Sequence, residues 1–339
     1  MKRVADSWGM LLRFPDMCLG VLDNAFDRCR IRPLKDAPIA AFLLLPALVV
    51  LGAFGLLPLG YSAYMSLFGG KWGMGDFVGL GNYAEAIGSR AFWGSFLVTA
   101  YYAAGTIPLT MAFSFTIAYL LFHVARGRSF FRTVYFLPYV TSAVAAAMVW
   151  RGIFNPQFGI VNALLTRWGI EPLDWLLEPR SILALITGRE ALVSVGPSLA
   201  LCGVMLFEIW HGSGFMIVIF LAGLSAIPRE LEEAARIDGA GPFQVVRKVT
   251  LPLLSPTIFF LAIVSVIKSF QAFNSVFALT GDGHGPLDTT QNVTVYIYSQ
   301  FYEFHRWGYG TAVAALLCLA IMTLTVVQWR FVGRKVHYE

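Results

Sequence analysis

Charge is what this sequence has least of. Only 13% of its 339 residues are Asp, Glu, Lys or Arg, while 57% are hydrophobic; soluble domains carry about 25% charged residues. With a mean hydropathy of +0.67, this excludes an ordinary soluble enzyme and predicts a polytopic membrane protein. Cysteine is also scarce. Cys18 and Cys29 lie in the N-terminal tail and Cys202 and Cys318 in apolar runs, with no CxxC pair, so neither a disulfide nor a metal site is expected. The five histidines show no ligand spacing. The one Gly-Lys pair, Gly70-Lys71, is followed by Trp72, so there is no Walker-type phosphate loop and no route to ATP hydrolysis through one. HExxH, GxSxG and paired-carboxylate motifs are missing too. The net charge of +5 is what a Lys/Arg-rich cytoplasmic face leaves, and it requires no nucleic acid.

What is present is a series of uncharged runs. A span needs about 20 apolar residues, and the expected spans are 39–62, 94–122, 133–154, 199–226, 251–273 and 310–329. Residues 37–331 therefore read as an all-α transmembrane domain of about six helices, with 1–36 and 332–339 as cytoplasmic tails. Arg13, Asp16 and Asp23 interrupt the tail, which is not expected to be a signal peptide; an interfacial helix through Leu11, Cys18, Leu22 and Phe26 is one reading of it. Pro108 is expected to kink the second span. Ile182 to Val195 is apolar but broken by Gly188, Arg189 and Glu190; it is too short to cross and reads as an amphipathic helix on the outer surface.

Orientation follows from the basic residues. With both termini inside, the tail holds seven Lys/Arg, the 126–132 loop three, the 228–250 loop four and the C-terminal end three; the opposite loops hold six. Both ends are thus expected in the cytoplasm.

The stretch 228–250 is the longest charged segment between two apolar ones. Pro228 suits the first turn of a helix, and Glu230, Glu232 and Glu233 place negative charge near its positive end. Gly239 and Gly241 before Pro242 end that helix; a second one, Phe243 to Val249, is expected to stop before Leu251-Pro252. From composition alone this is a solvated helical hairpin between spans. Its spacing goes further. Glu233-Ala234-Ala235, three residues, Gly239, nine residues, Val249, one residue, Leu251-Pro252 resembles the EAA loop of permeases of bacterial binding-protein-dependent ABC importers, with Val for Ile as the one departure. Ile219 to Leu224, Ile227-Pro228, Leu80 to Tyr83, Trp150-Arg151, Phe154 to Pro156 with Gly159, and Trp210 with Gly212 and Gly214-Phe215 resemble the sugar and glycerol-phosphate branch, with its maltose-type first permease. The long charged tail and the residues around Thr187 to Val195 depart from it.

That resemblance implies a type I importer permease fold, and a loop seated in a cleft of an ATPase subunit. The ATPase-coupling residues would be Glu232, Glu233, Ala234, Ala235, Asp238, Gly239, Gly241, Leu251 and Pro252. It implies a second permease subunit, two ATPase subunits that hold ATP and Mg, an external solute-binding protein, and a place in the bacterial inner membrane. The solute would be a sugar, oligosaccharide or polyol, or else glycerol-3-phosphate or another anion. A self-contained ion-coupled transporter is the competing class; it calls for coupling carboxylates or inverted repeats, and the sequence offers one buried Glu and no repeat.

Three ionisable residues interrupt the spans: Arg151, Glu208 and Lys268. Straight helices would place all three about 24–27 Å from the cytoplasmic end, at one level. Two readings stand. Either Glu208 pairs with one of the cations while the others snorkel, or Lys268 and Glu208 line the solute path. Lys268, Gln271 and Asn274 are expected to share a face of the fifth span, with Phe270 and Phe273 as an aromatic platform. Polar residues satisfying each other between helices are the alternative.

Overall fold

The computed structural model describes residues 37–73, 75–123, 127–189, 195–331 and 333. The tail 1–36, Arg126 in the basic loop, residues 190–194 and nearly all of 332–339 lie outside the described residues, and with them the expected interfacial helix. The described chain is helical, with isolated bridges at Phe68–Phe77 and Ser181–Ser198.

The chain divides into two units, Met1–Tyr64 and Met65–Glu339. The first holds most of α1, which runs Ala37–Leu51, passes through a π-turn at Gly52–Leu56 and continues as Leu57–Met65. Ala40–Met65 is long and apolar enough to cross a membrane.

The second unit contains α2 (Gly81–Gly88), α3 (Arg90–His123), α4 (Arg128–Val140), α5 (Ala143–Ile153), α6 (Ile160–Arg167) and α7 (Ile182–Thr187). Then come α8 (Leu199–Ala226), α9 (Arg229–Ile237), α10 (Pro242–Leu253), α11 (Ser255–Phe270), α12 (Asn274–Thr280), α13 (Val293–Tyr302) and α14 (Trp307–Phe331). The 94–122, 199–226 and 310–329 expectations correspond to α3, α8 and α14. α3 runs as one helix through Pro108.

The other two inner spans need correction. The expected 133–154 span is two helices, α4 and α5, bent by 95°. The break is at Thr141-Ser142, both non-helical and Thr141 extended, where the Thr141 hydroxyl donates back to the Pro138 carbonyl at 2.7 Å. The expected 251–273 span begins earlier and ends sooner. α10 does not stop before Leu251; it passes through a π-turn, Val246–Thr250, and on to Leu253. It then turns by 69° into α11. Pro256 lies just past the elbow and lacks the N–H that would bond the Pro252 carbonyl, so the helix bends there. α11 ends at Phe270, not 273. The helix expected over 182–195 is shorter: α7 closes at Gly188, whose φ of 65° is left-handed.

α8 is the central post of this unit. Tyr102 of α3 packs with Leu201, Val204, Met205 and Phe207 of α8 in one buried cluster. Lower down, Ala118 and Leu121 meet Met216, Ile217, Phe220 and Leu224, together with Leu254 and Leu261. Small residues permit these approaches, as in membrane bundles generally. A Cβ at Gly214 would lie 2.7 Å from the Tyr135 carbonyl oxygen of α4 and 3.1 Å from the Tyr139 Cβ.

Candidate functional site

Two places gather the residues that the sequence singles out. The first is the hairpin of α9 and α10. Pro228 sits one residue before α9, as its N-cap, and Glu230 and Glu232 occupy the first turn. Asp238 caps the far end. Gly239 follows at φ +85°, its N–H donating to the Arg236 carbonyl at 3.0 Å, while the Ala240 N–H donates to the Ala235 carbonyl at 3.0 Å. This pair of bonds is a Schellman motif, and the positive φ is why glycine stands there. Gly241 then starts α10, with its N–H donating to Gln244 Oε1 at 3.1 Å and Pro242 in the first turn.

Glu232 ties the hairpin together. Its Oε1 accepts from the hydroxyl of fully buried Thr250 at 3.2 Å, and its Oε2 faces His123 Nε2 at 3.7 Å and Arg236 at 4.0 Å. His123 is the last residue of α3, so one half-buried carboxylate joins both hairpin helices to a spanning helix. Glu233, Ala234, Asp238 and Gly239 point outward and are exposed. Beside them Ile237 and Phe243 are 86% and 74% exposed, a large apolar display for a hydrophilic tip. Leu251 and Pro252 lie half-buried in the arm behind it.

The second place is an open cavity of about 170 Å³ lined by residues of α3, α4, α8 and α11. Lys268 and Glu208 both line it, as do His211, Tyr139, Phe215 and the hydroxyl residues Thr106, Thr110 and Ser265. Among the described residues no ion pair joins Lys268, Glu208 or Arg151 to an oppositely charged side chain, so the expected pairing of Glu208 with a cation is not formed. The Lys268 ammonium instead lies 4.4 Å from the centre of the Phe215 ring and 5.0 Å from that of Tyr139, and donates to the Tyr139 hydroxyl at 3.3 Å. Glu208 lies beside the buried Tyr102 hydroxyl.

The other candidates are dispersed. Because α11 ends at Phe270, Lys268, Gln271 and Asn274 do not continue one helical face. Gln271 is an exposed cap residue. Asn274 opens α12 and lines a separate cavity of about 220 Å³ with Arg151, Phe273 and Phe277. Phe270 is buried in the core, edge-on to Phe96. The aromatic platform under Lys268 is thus Tyr139 and Phe215, not Phe270 and Phe273. Sequence reasoning missed those two rings, and it missed the buried stripe Ser95, Thr99, Tyr102, Thr106, Thr110 and Ser114 along α3. Polar side chains every three or four residues in an otherwise apolar span are a readable signal that one face is not for lipid.

Comparison with known proteins fits this geometry. Residues 110–338 match the family described as binding-protein-dependent transport system inner membrane component. The probable ABC transporter permease protein YesP of Bacillus subtilis (strain 168) is 32% identical over 303 residues, covering 87% of this chain and 90% of that one. The sn-glycerol-3-phosphate transport system permease protein UgpA of Agrobacterium fabrum is 31% identical, over 78% and 83%. The trehalose/maltose transport system permease protein MalF of Thermococcus litoralis is 29% identical, over 88% and 95%. A crystal structure of a bacterial ABC transporter that imports the acidic polysaccharide alginate has a chain with the same fold, with a TM-score of 0.70 at 20% identity over 91% and 99%. Sequence match and fold agree, and the chain is a multi-pass member of the binding-protein-dependent transport system inner membrane components, the permease subunits of ABC transporters.

Proposed function

We propose that this chain is the permease through which an ABC importer carries a sugar, oligosaccharide or polyol into the cytoplasm, with both termini inside. The observation that carries this reading is the hairpin: a capped, charged turn with two exposed apolar residues at its tip, tied through Glu232 to α3. That construction suits a handle gripped from outside the bilayer. Two ATPase subunits would hold ATP and Mg and grip the handle. A second permease would complete the path, and an external binding protein would deliver solute. The relatives named for trehalose/maltose and for glycerol-3-phosphate support a small polyhydroxylated solute.

In this reading the chain performs no bond chemistry. Closure of the ATPase pair moves the handle, and the helices around the cavity pass between two packings, opening it to one side or the other. The cavity's hydroxyls and aromatic faces suit a hydroxylated solute, since such groups pair with its hydroxyls while rings cover its apolar face. The volume is below the roughly 300–1,000 Å³ of a typical small-molecule pocket, so the chain supplies one wall of the path and the second permease the rest.

The test is co-purification. Wild-type protein expressed with its ATPase should retain it, and Gly239→Trp should release it while remaining in the membrane. Failure of the wild type to retain any ATPase, or ATP-independent solute accumulation by the lone chain in liposomes, would overturn the proposal.

A further inference from the structure

Lys268 has no carboxylate partner among the described residues, although a carboxylate lines the same cavity. An ammonium within a membrane span is expensive, and it is usually paired or turned to a water-filled space. Here the charge is held in another way. Two ring faces, Phe215 and Tyr139, lie 4.4 and 5.0 Å from it. Such contacts favour a cation without neutralising it. One of the three ammonium hydrogens is used, toward the Tyr139 hydroxyl. The side chain remains exposed at the end of α11, in its last turn.

Glu208 stands apart from it, beside Tyr102 on the α3–α8 wall. The cavity therefore carries an amine at one wall and a carboxyl at another. His211 of α8 lines the same cavity, stacked on Phe207, with its Nε2 3.5 Å from the Thr141 carbonyl. The hydroxyls of Thr106 and Thr110, on α3, complete the polar lining.

We propose that Lys268 is the subsite for an anionic group on the transported solute, so that the solute is an acidic sugar or a phosphorylated polyol and not a neutral one. This rests on the importer reading above and narrows it. A carboxylate or phosphate takes the free donors of Lys268, and the solute hydroxyls bond the Glu208 carboxyl. The wall that holds the anion is made by α4, α8 and α11, where the Tyr139 and Phe215 rings lie 5.5 Å apart.

The test uses the complete importer in proteoliposomes, with binding protein and ATP, and two matched probe pairs. One is sn-glycerol-3-phosphate against glycerol; the other is a glucuronate-containing disaccharide against its glucose counterpart. Wild type should take up an anionic member in preference to its neutral match. Lys268→Gln should shrink that preference by about 10–100-fold, the worth of a hydrogen bond to a charged group, mainly through a raised KM. Lys268→Arg should restore much of the preference, which a purely structural lysine would not require. Wild-type uptake of a neutral member without preference for its anionic match, or an equal loss of both members in Lys268→Gln, would overturn the anion subsite and leave the importer reading intact. No ATP-dependent uptake of any probe would count against both.

Discussion

The hairpin and the cavity are built in opposite ways. Every bond that shapes the hairpin turn joins residues a few positions apart: Gly239 to Arg236, Ala240 to Ala235, Gly241 to Gln244. The cavity is made by residues from Tyr102 to Ser269, on four helices that meet only in the folded bundle. A local device can be damaged by one substitution while the rest of the protein stands. An assembled one fails when any wall shifts, and the bundle weakens with it.

The sharpest way to break this contrast is at Gly214. A Cβ there meets the Tyr135 backbone and the Tyr139 side chain, so Gly214→Val should push α4 from α8 at a cost of about 1–3 kcal/mol. Thermal unfolding in detergent should shift downward, and solute-dependent ATPase activity should fall with it. A variant as stable as wild type would show that the wall yields freely. Gly239→Val addresses the other region. A β-branched residue at φ +85° costs about 1–2 kcal/mol, a factor of about ten in the population of the turn. Uptake should drop, while the unfolding temperature of the membrane domain hardly changes. Loss of both together would mean that the hairpin is not an independent device.

A more confined effect is expected at Glu232. Replacing it with Ala removes the acceptor from buried Thr250 and the link to His123, worth about 1–3 kcal/mol locally. Hydrogen exchange should accelerate across α9 and α10 and not in α8. Thr250→Val in the same background should recover part of the protection, because no donor is then left unpaired.

The smallest effect lies outside both regions, in the loop before α7. Arg180 donates to Glu178 through Nε at 2.9 Å and Nη2 at 2.8 Å, and these bonds hold the Glu178 carboxyl below its ordinary value. A group depressed in the folded state stabilises it at neutral pH, and that contribution disappears as pH falls below the ordinary carboxylate range toward its own lowered value. Hydrogen exchange around Arg180 should therefore rise on acidification through that window. Glu178→Gln should abolish this pH dependence and move neutral-pH exchange only slightly, since exposed pairs contribute little.

The same contrast explains what the sequence made legible. Pro228, Gly239 and Gly241 announced the hairpin because caps and left-handed turns are local demands on residue type. α8 was legible to its ends, Leu199 and Ala226, for a similar reason: Ser198 caps it, and Ile227-Pro228 stops it. The two bends were not legible. Pro138 and Pro256 mark weak points in apolar runs, but a run that breaks by 95° and one that stays straight look alike until neighbours supply the packing. Lys268 and Glu208 were placed at one depth by counting residues along straight helices. Both do line one cavity, but not as a pair. That outcome turned on Tyr139 and Phe215, more than 70 residues apart in sequence and unremarkable within their own spans.

The elbow at Leu254 gives the hairpin and the cavity a shared geometry. α10 carries the turn at its outer end, and α11 carries Lys268 fourteen residues beyond Leu254, about 20 Å along the axis. If the two arms swing as one bent crank, a rotation of about 10° at that joint displaces the ammonium by roughly 3–4 Å. Such a shift would take the charge off its two rings. The same stroke that is felt at the turn would thus decide whether the cation is sheathed by aromatics or bared to whatever occupies the path.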